Sequence, residues 1–425
     1  MRRKITQKLL EWKKKSAGKT ALLIDGARRV GKSYIVEKFA KENYRSYILI
    51  DFNKAGTDVK DLFNQYLDDL DAFFMYLSAI YGVTLYPKES LIIFDEVQLF
   101  PRARAAIKYL VADGRFHYLE TGSLVSIRKN VEEIVIPSEE RHIKMFPLDF
   151  EEFLWAMGED PLLAVIKMSF DKHLPMGQAL HRKAMTLFRQ YIIVGGMPQA
   201  VQTYLDTKNF EETDMIKRDI LTLYRQDIVK HAKGYERKVE AIFDEIPEQL
   251  SKHEKKFVLS SLGNGTKFRD YESSFLWLED SMICNICYNS TEPSIGIKLN
   301  RDRTTMKMYM GDTGLLVSHA FDENGIVAQM FTASGHKLYF YSNASRDDKN
   351  SRMEIDFLLT KSKVTSRHNV SPVEVKSGKK YTTVSLEKFR KKYNQQLNIA
   401  YLLHTSDYME KNGIVYLPVY MTWLL

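Results

Sequence analysis

The residues with the strongest chemical signature are GARRVGKS at 26–33, which satisfy G-x-x-x-x-G-K-[ST] in full. Gly26 and Gly31 let the backbone curl around phosphates so that amide groups point inward. Lys32 supplies a charge for the terminal phosphates. Ser33 supplies a hydroxyl to magnesium, which takes few protein ligands and keeps several waters. Gly26, Ala27, Arg28, Arg29, Val30, Gly31, Lys32 and Ser33, with Tyr34 and Ser123, are the residues expected to hold a magnesium-complexed nucleoside triphosphate, most simply ATP. In LIIFDE at 91–96 an apolar run ends in two carboxylates. Asp95 is expected in the magnesium shell. Glu96 is expected to polarise the water that attacks the terminal phosphorus, acting with Lys32 as a catalytic group. In YLETGS at 118–123, Thr121 or Ser123 is placed to meet the terminal phosphate or the water. Arg28, Arg29, Arg115 and Arg141 are candidates for neutralising transition-state charge.

A second set lies near the other end of the chain. In PVEVKSG, Glu374 and Lys376 are two residues apart, which on a strand puts both side chains on one face. Asp356 in EIDFLL is expected on a neighbouring strand, and Glu323, in a helical stretch, is expected to close the group. Asp356, Glu374 and Lys376 in catalytic roles, with Glu323, Asp356 and Glu374 as metal ligands, would hold magnesium and activate water for phosphodiester hydrolysis. An exposed Glu-Lys pair is the commoner meaning of E-x-K; the apolar EIDFLL run favours the site reading. Cys284 and Cys287, the only cysteines, have C-x-x-C spacing but no second pair, and an extended SMICNICYN would point them to opposite faces. They are read as ordinary reduced thiols.

Positioning these groups requires α/β architecture. From residue 20 to about 123, short apolar runs alternate with amphipathic stretches, the pattern of helices covering a parallel sheet. The expected strands are TALLID (20–25), SYILIDF (46–52), LIIFDE (91–96) and HYLETG (117–122), with helices over 33–41 and 58–80. After MFPLDFEEFLWAMGED (145–160) the reading is mainly helical to about 245, broken at GGMPQA (195–200). Helices, then RDYESSFLWLEDSM, then extended SMICNICYN and IGIKLN fit a winged-helix unit. Its expected third helix carries Asp270, Glu272, Glu279 and Asp280, which disfavours phosphate contact; Lys298, Arg301, Arg303 and Lys307 in the wing are the compensating cations. Beyond GDTGLL, a helix over 323–334 and the runs KLYFYS, EIDFLL, PVEVKS and NIAYLL make a last α/β unit. The expected domains are 1–160, 161–235, 236–310 and 311–425.

The 425 residues are 44% hydrophobic and 27% charged, without a run of about 18 apolar residues, so a soluble cytoplasmic protein is expected and a membrane partner is not. The basic N-terminus has no apolar segment or cleavage site of a secretory signal. A net charge of +8 permits nucleic acid as a partner without requiring it.

GARRVGKS, LIIFDEVQ, YLETGS, FPLDFEEF and GGMPQA, in this order, resemble the predicted bacterial and archaeal P-loop ATPases of the AAA superfamily. EIPEQLS, DTGLL, EIDFLL and PVEVKSG extend the resemblance to that family's C-terminal domain of unknown function. The family often has Gln at the position of Arg29, Thr at that of Ser33 and Gly-Arg at that of Glu140-Arg141. The resemblance implies an N-terminal AAA-type domain with a parallel sheet and ATPase activity. The C-terminal carboxylates and lysine resemble the core of restriction-endonuclease-like PD-(D/E)xK nucleases. Two functions follow as expectations: an ATP-driven factor on nucleic acid, or an ATP-controlled switch that binds a protein partner and carries an inactive nuclease fold.

Overall fold

Strands buried on both faces read as near-continuous apolar runs, and two such runs, at 21–24 and 91–94, lie in the first sheet. The computed structural model describes residues 1–122, 139–252, 255–263, 265–294, 297–318, 323–343, 352–360, 370–378 and 381–425. The chain divides into two compact units, Arg2–Phe146 and Pro147–Leu425.

In the first unit, β1 (Ala21–Asp25), β2 (Ser46–Asp51), β3 (Ser90–Asp95), β4 (His117–Gly122) and β5 (Glu140–Lys144) form a sheet in the order β2-β3-β4-β1-β5. Every neighbouring pair is parallel, so the carboxyl ends of all five strands share one edge. β1, β3 and β4 are buried at every position. β5 was not expected: ERHIK is half-buried or exposed throughout, because it is an edge strand paired only to β1, and no apolar run marks it. The expected helix over 58–80 is two helices, Thr57–Gln65 and Leu70–Tyr81. The break is local: the Asp69 carboxylate accepts the Ala72 N–H at 3.1 Å and caps the second helix.

The second unit begins with helices whose turns are packing devices. Asp149 caps the helix Phe150–Ala156 through a capping box with Glu152. The Leu148 N–H donates to the Gly196 carbonyl at 2.7 Å, the Tyr191 hydroxyl to the Leu148 carbonyl at 2.8 Å, and the Gly196 N–H to Asp312 Oδ2 at 2.6 Å. A Cβ on Gly196 would sit 2.1 Å from the Leu148 carbonyl oxygen, so only glycine permits this approach. FPLDF, GGMP and GDTGL are thus joined by one buried polar knot.

β6 (Cys284–Ser290), β7 (Arg301–Met310), β8 (Tyr339–Asn343) and β9 (Met353–Ile355) form a sheet in the order β7-β6-β8-β9. The antiparallel β6–β7 hairpin was expected as a wing, but the other edge of β6 pairs in parallel with β8. IGIKLN does not supply the second strand: residues 297–300 form a turn and β7 starts at Arg301, because Asn300 and Thr291 close the hairpin by hydrogen bonds. β10 (Phe357–Thr360), β11 (Val370–Val375), β12 (Ala400–His404), β13 (Met409–Lys411) and β14 (Ile414–Pro418) form the last sheet, in the order β10-β11-β12-β14-β13. Among the described residues no helix is long and apolar enough to cross a membrane.

Candidate nucleotide site and C-terminal carboxylate cluster

Because β1 ends at Asp25 and the helix Lys32–Asn43 begins at Lys32, residues 26–31 must turn within one short loop. Gly31 makes the turn at φ 93°, a left-handed conformation that suits glycine, and Arg29 joins it at φ 70°. Ala27 and Val30 are buried, whereas Arg28, Arg29 and Tyr34 are exposed. Gly26 packs against the chain leaving β5, where a Cβ would lie 2.4 Å from the Met145 carbonyl oxygen.

Lys32 is buried, and its ammonium donates to the carbonyls of Gly26 (2.9 Å) and Ala27 (3.1 Å) on its own loop. Burial pushes its pKa down, against the pull of Glu96, Asp95 and Asp25. The Ser33 hydroxyl donates to Asp95 Oδ1 at 2.9 Å. Thr121 from β4 also donates to Asp95 Oδ1, and its oxygen accepts the Glu96 N–H at 3.3 Å. Thr121 therefore ties the Asp95 carboxylate to the Glu96 backbone. Burial raises the Asp95 pKa, with the Thr121 and Ser33 hydrogen bonds opposing. Glu96 stands just past β3 at φ 55°, a region that non-glycine residues rarely visit and that clusters at functional sites. Its Oε2 accepts from Gln98 Nε2 at 2.5 Å. A hydroxyl and a carboxylate in contact at a strand edge, beside a helix N-terminus, fit the magnesium of a nucleotide complex. Ser123 lies outside the described residues.

Two residues that the sequence did not single out also matter here. Arg3 is buried and donates to the Val30 carbonyl (3.1 Å) and the Phe146 carbonyl (2.6 Å), pinning the loop from outside. Gln98 steadies Glu96. Nothing in the spacing of either residue marks it. Of the candidate arginines, Arg115 is engaged with Asp113 at 2.9 Å and Asp71 at 2.5 Å, and Arg141 is an exposed residue of β5.

In the C-terminal cluster, Asp356 stands at the break between β9 and β10, where the chain passes from one sheet to the other. Its Oδ2 accepts the Val375 N–H at 2.9 Å. Lys376 Nζ meets Glu374 Oε1 at 2.7 Å, as a shared face requires. Glu374 is buried, with Oε2 lacking a hydrogen-bond partner among the described residues, and burial followed by the neighbouring Asp356 charge raises its pKa against the pull of Lys376. Asp356, Glu374 and Lys376 are thus brought together. Glu323 opens the helix Glu323–Ala333, and its side chain lies outside what is described.

The expected wing cations divide. Arg301 lies over the Tyr288 ring at 4.4 Å, Arg303 faces Glu272 at 3.7 Å, and Lys298 is exposed. Lys307 is a correction: it is buried, with Nζ 2.7 Å from Glu354 Oε1, 3.9 Å from Asp356 Oδ1 and 4.7 Å from the Phe340 ring centroid. From Met306 to Met310 β7 is buried at every position, so Lys307 is no phosphate contact. Cys284 and Cys287 are free and buried, and burial pushes both thiols up.

Residues 18–154 match the family model described as an AAA domain. With its parallel sheet and the turn at 26–31, the N-terminal unit is an α/β domain similar to that AAA domain. Residues 185–324 and 320–421 match two domains of unknown function, DUF8612 and DUF4143. No match is found among curated proteins. Solved structures with similarity include the Aeropyrum pernix Orc1 protein in complex with DNA, at 10% identity over 77% of this chain and 92% of that one, TM-score 0.27. A DNA replication initiation factor has 13% identity over 65% and 75%, TM-score 0.21. C. elegans PCH-2 has 13% identity over 39% of this chain, which spans 43% of the PCH-2 chain, TM-score 0.20.

Proposed function

We propose that the chain is a magnesium-dependent ATPase. The observation that carries this reading is the contact between Ser33 Oγ and Asp95 Oδ1 at 2.9 Å, with Lys32 in the same loop and Glu96 next to Asp95. Ser33 and Asp95 would hold the magnesium of the nucleotide complex, which supplies charge neutralisation at the phosphates when bound. Lys32 exchanges the Gly26 and Ala27 carbonyls for phosphate oxygens. Glu96, steadied by Gln98, orients the attacking water and accepts its proton. Thr121 keeps Asp95 and the Glu96 backbone in fixed relation while the phosphates turn over. The test is Glu96→Gln. It should bind ATP as the wild type does and release phosphate about 10²- to 10³-fold more slowly; equal loss of binding and turnover would make Glu96 structural.

For the rest of the chain we propose a helical segment (161–235), a winged-helix-like segment (236–310) and a nuclease-like domain (311–425) acting on nucleic acid. A helix, antiparallel β10 and β11, the helix Val384–Lys392 and then β12 parallel to β11 support the nuclease-like order around Asp356, Glu374 and Lys376. The second reading is an ATP-controlled switch that binds a protein partner and has a catalytically silent nuclease fold. Buried Lys307 among the carboxylates favours it. DNA binding that weakens steeply with salt, and nicking lost in Glu374→Gln, would support the first reading; salt-insensitive or absent DNA binding would support the second.

A further inference from the structure

The carboxylates at Glu354, Asp356 and Glu374 are matched by two lysines rather than by an open space. Lys376 engages Glu374 Oε1 at 2.7 Å, and the buried Lys307 reaches Glu354 at 2.7 Å and Asp356 at 3.9 Å. The other Asp356 oxygen already accepts the Val375 N–H. Burial alone would lower the Lys307 pKa, but Asp356 and Glu354 outweigh it and hold the value above that of an ordinary lysine. The Phe340 ring lies beside the ammonium. Magnesium demands near-octahedral oxygen ligands at about 2.0–2.1 Å and keeps several of its waters. A lysine stem and an aromatic face where those waters would stand do not meet that demand. Among the described residues no group of three or more His, Cys, Asp or Glu side chains is arranged to hold a metal ion. The residues present therefore do not fit the divalent ion that a nuclease-like site implies.

We propose that the Lys307 ammonium is the resident cation of the C-terminal carboxylate cluster, standing where a divalent ion would otherwise sit, so that the domain operates without a metal. The proposal rests on the nuclease-like reading of Asp356, Glu374 and Lys376. An ammonium neutralises carboxylates but does not acidify a bound water, so a site filled in this way binds and positions without hydrolysing. The cluster is then a latent metal site, closed by one residue of β7. Its ammonium comes from β7, so a strand outside the last sheet governs the chemistry of the carboxylates.

The test is a titration of the full chain, free of nucleotide, with Mn2+ followed by electron paramagnetic resonance. Wild type should bind no Mn2+ at this cluster, and Lys307→Met should gain one equivalent per chain, lost again in Lys307→Met/Asp356→Asn. Mn2+ binding by wild type that Asp356→Asn removes would overturn the proposal, as would a folded Lys307→Met protein that gains no site. If Lys307→Met does not fold by circular dichroism, the wild-type and Asp356→Asn pair decides alone. A DNA-nicking assay in the same Mn2+ buffer separates this inference from the reading beneath it. Wild-type nicking lost in Glu374→Gln upholds the nuclease-like reading and overturns the resident cation. A gained Mn2+ site without nicking in any variant upholds the resident cation and removes the nuclease activity.

Discussion

Lys32 and Lys307 are both buried lysines surrounded by acidic groups, yet their environments push them in opposite directions. Among the described residues Lys32 donates to two carbonyls of its own loop, and burial lowers its pKa. Lys307 is held by Glu354 and Asp356, which raise its pKa despite burial. The difference is one of commitment. The first ammonium has carbonyl partners that a phosphate would displace, whereas the second has carboxylate partners that a buried pair does not release without leaving an uncompensated charge. In the proposed account a buried lysine near carboxylates is a ligand-binding group in one unit and a fixed structural cation in the other, and hydrogen-bond partners tell them apart where residue type does not.

The largest expected effect that tests this contrast is Lys32→Ala, which should lower ATP turnover about 10³-fold. It should leave the thermal midpoint unchanged or raised, because a lysine whose folded pKa is depressed costs stability while charged. A large fall in the midpoint would make Lys32 a structural group like Lys307. Lys307→Met should cost about 3 kcal/mol of unfolding free energy in urea at pH 8, since two carboxylates lose their buried partner. The sign with pH follows from a folded-state value raised above the unfolded one. The Lys307 contribution is complete below the ordinary lysine pKa and fades as pH rises through the folded value, so the gap between variant and wild type should narrow at strongly alkaline pH. A gap that widens there would reject the ion-pair account.

Smaller effects sharpen the same comparison. Arg3→Ala removes the donors to Val30 and Phe146, and should raise KM for ATP about tenfold, some 1.4 kcal/mol, with kcat little changed. Arg3→Lys should recover part of that loss; an unaltered KM would mean that the loop holds its shape alone. The smallest effect is expected for Arg301→Glu with Arg303→Glu, which should weaken any DNA binding a few-fold and flatten its slope against salt. An unchanged slope removes the hairpin from the interface.

The first unit was legible in the sequence to a high degree. β1 and β3 are buried on both faces, so apolar runs delimit them, and the fixed spacing of GARRVGKS marks the turn between β1 and the helix that follows. β5 escaped because an exposed edge strand carries no such run, and Arg3 because a contact across 143 residues leaves no local signal. In the second unit the shared face of Glu374 and Lys376 was readable from a spacing of two, and their contact at 2.7 Å follows. Lys307 was misjudged as a wing cation. Its neighbours, Arg301 and Arg303, are cationic too, and only the strand partners of β6 and β9 decide which side chains of β7 turn inward.

The central claim, that the loop from Gly26 to Ser33 is a working magnesium-nucleotide site, is tested most directly by counting metal-nucleotide complexes on the full chain. Mn2+ resonance measured while ATP is titrated into wild type and Lys32→Ala should show one Mn2+·ATP per chain in wild type and none in the variant. Equal binding by both proteins, or no ATP-dependent Mn2+ uptake by wild type, would contradict the account.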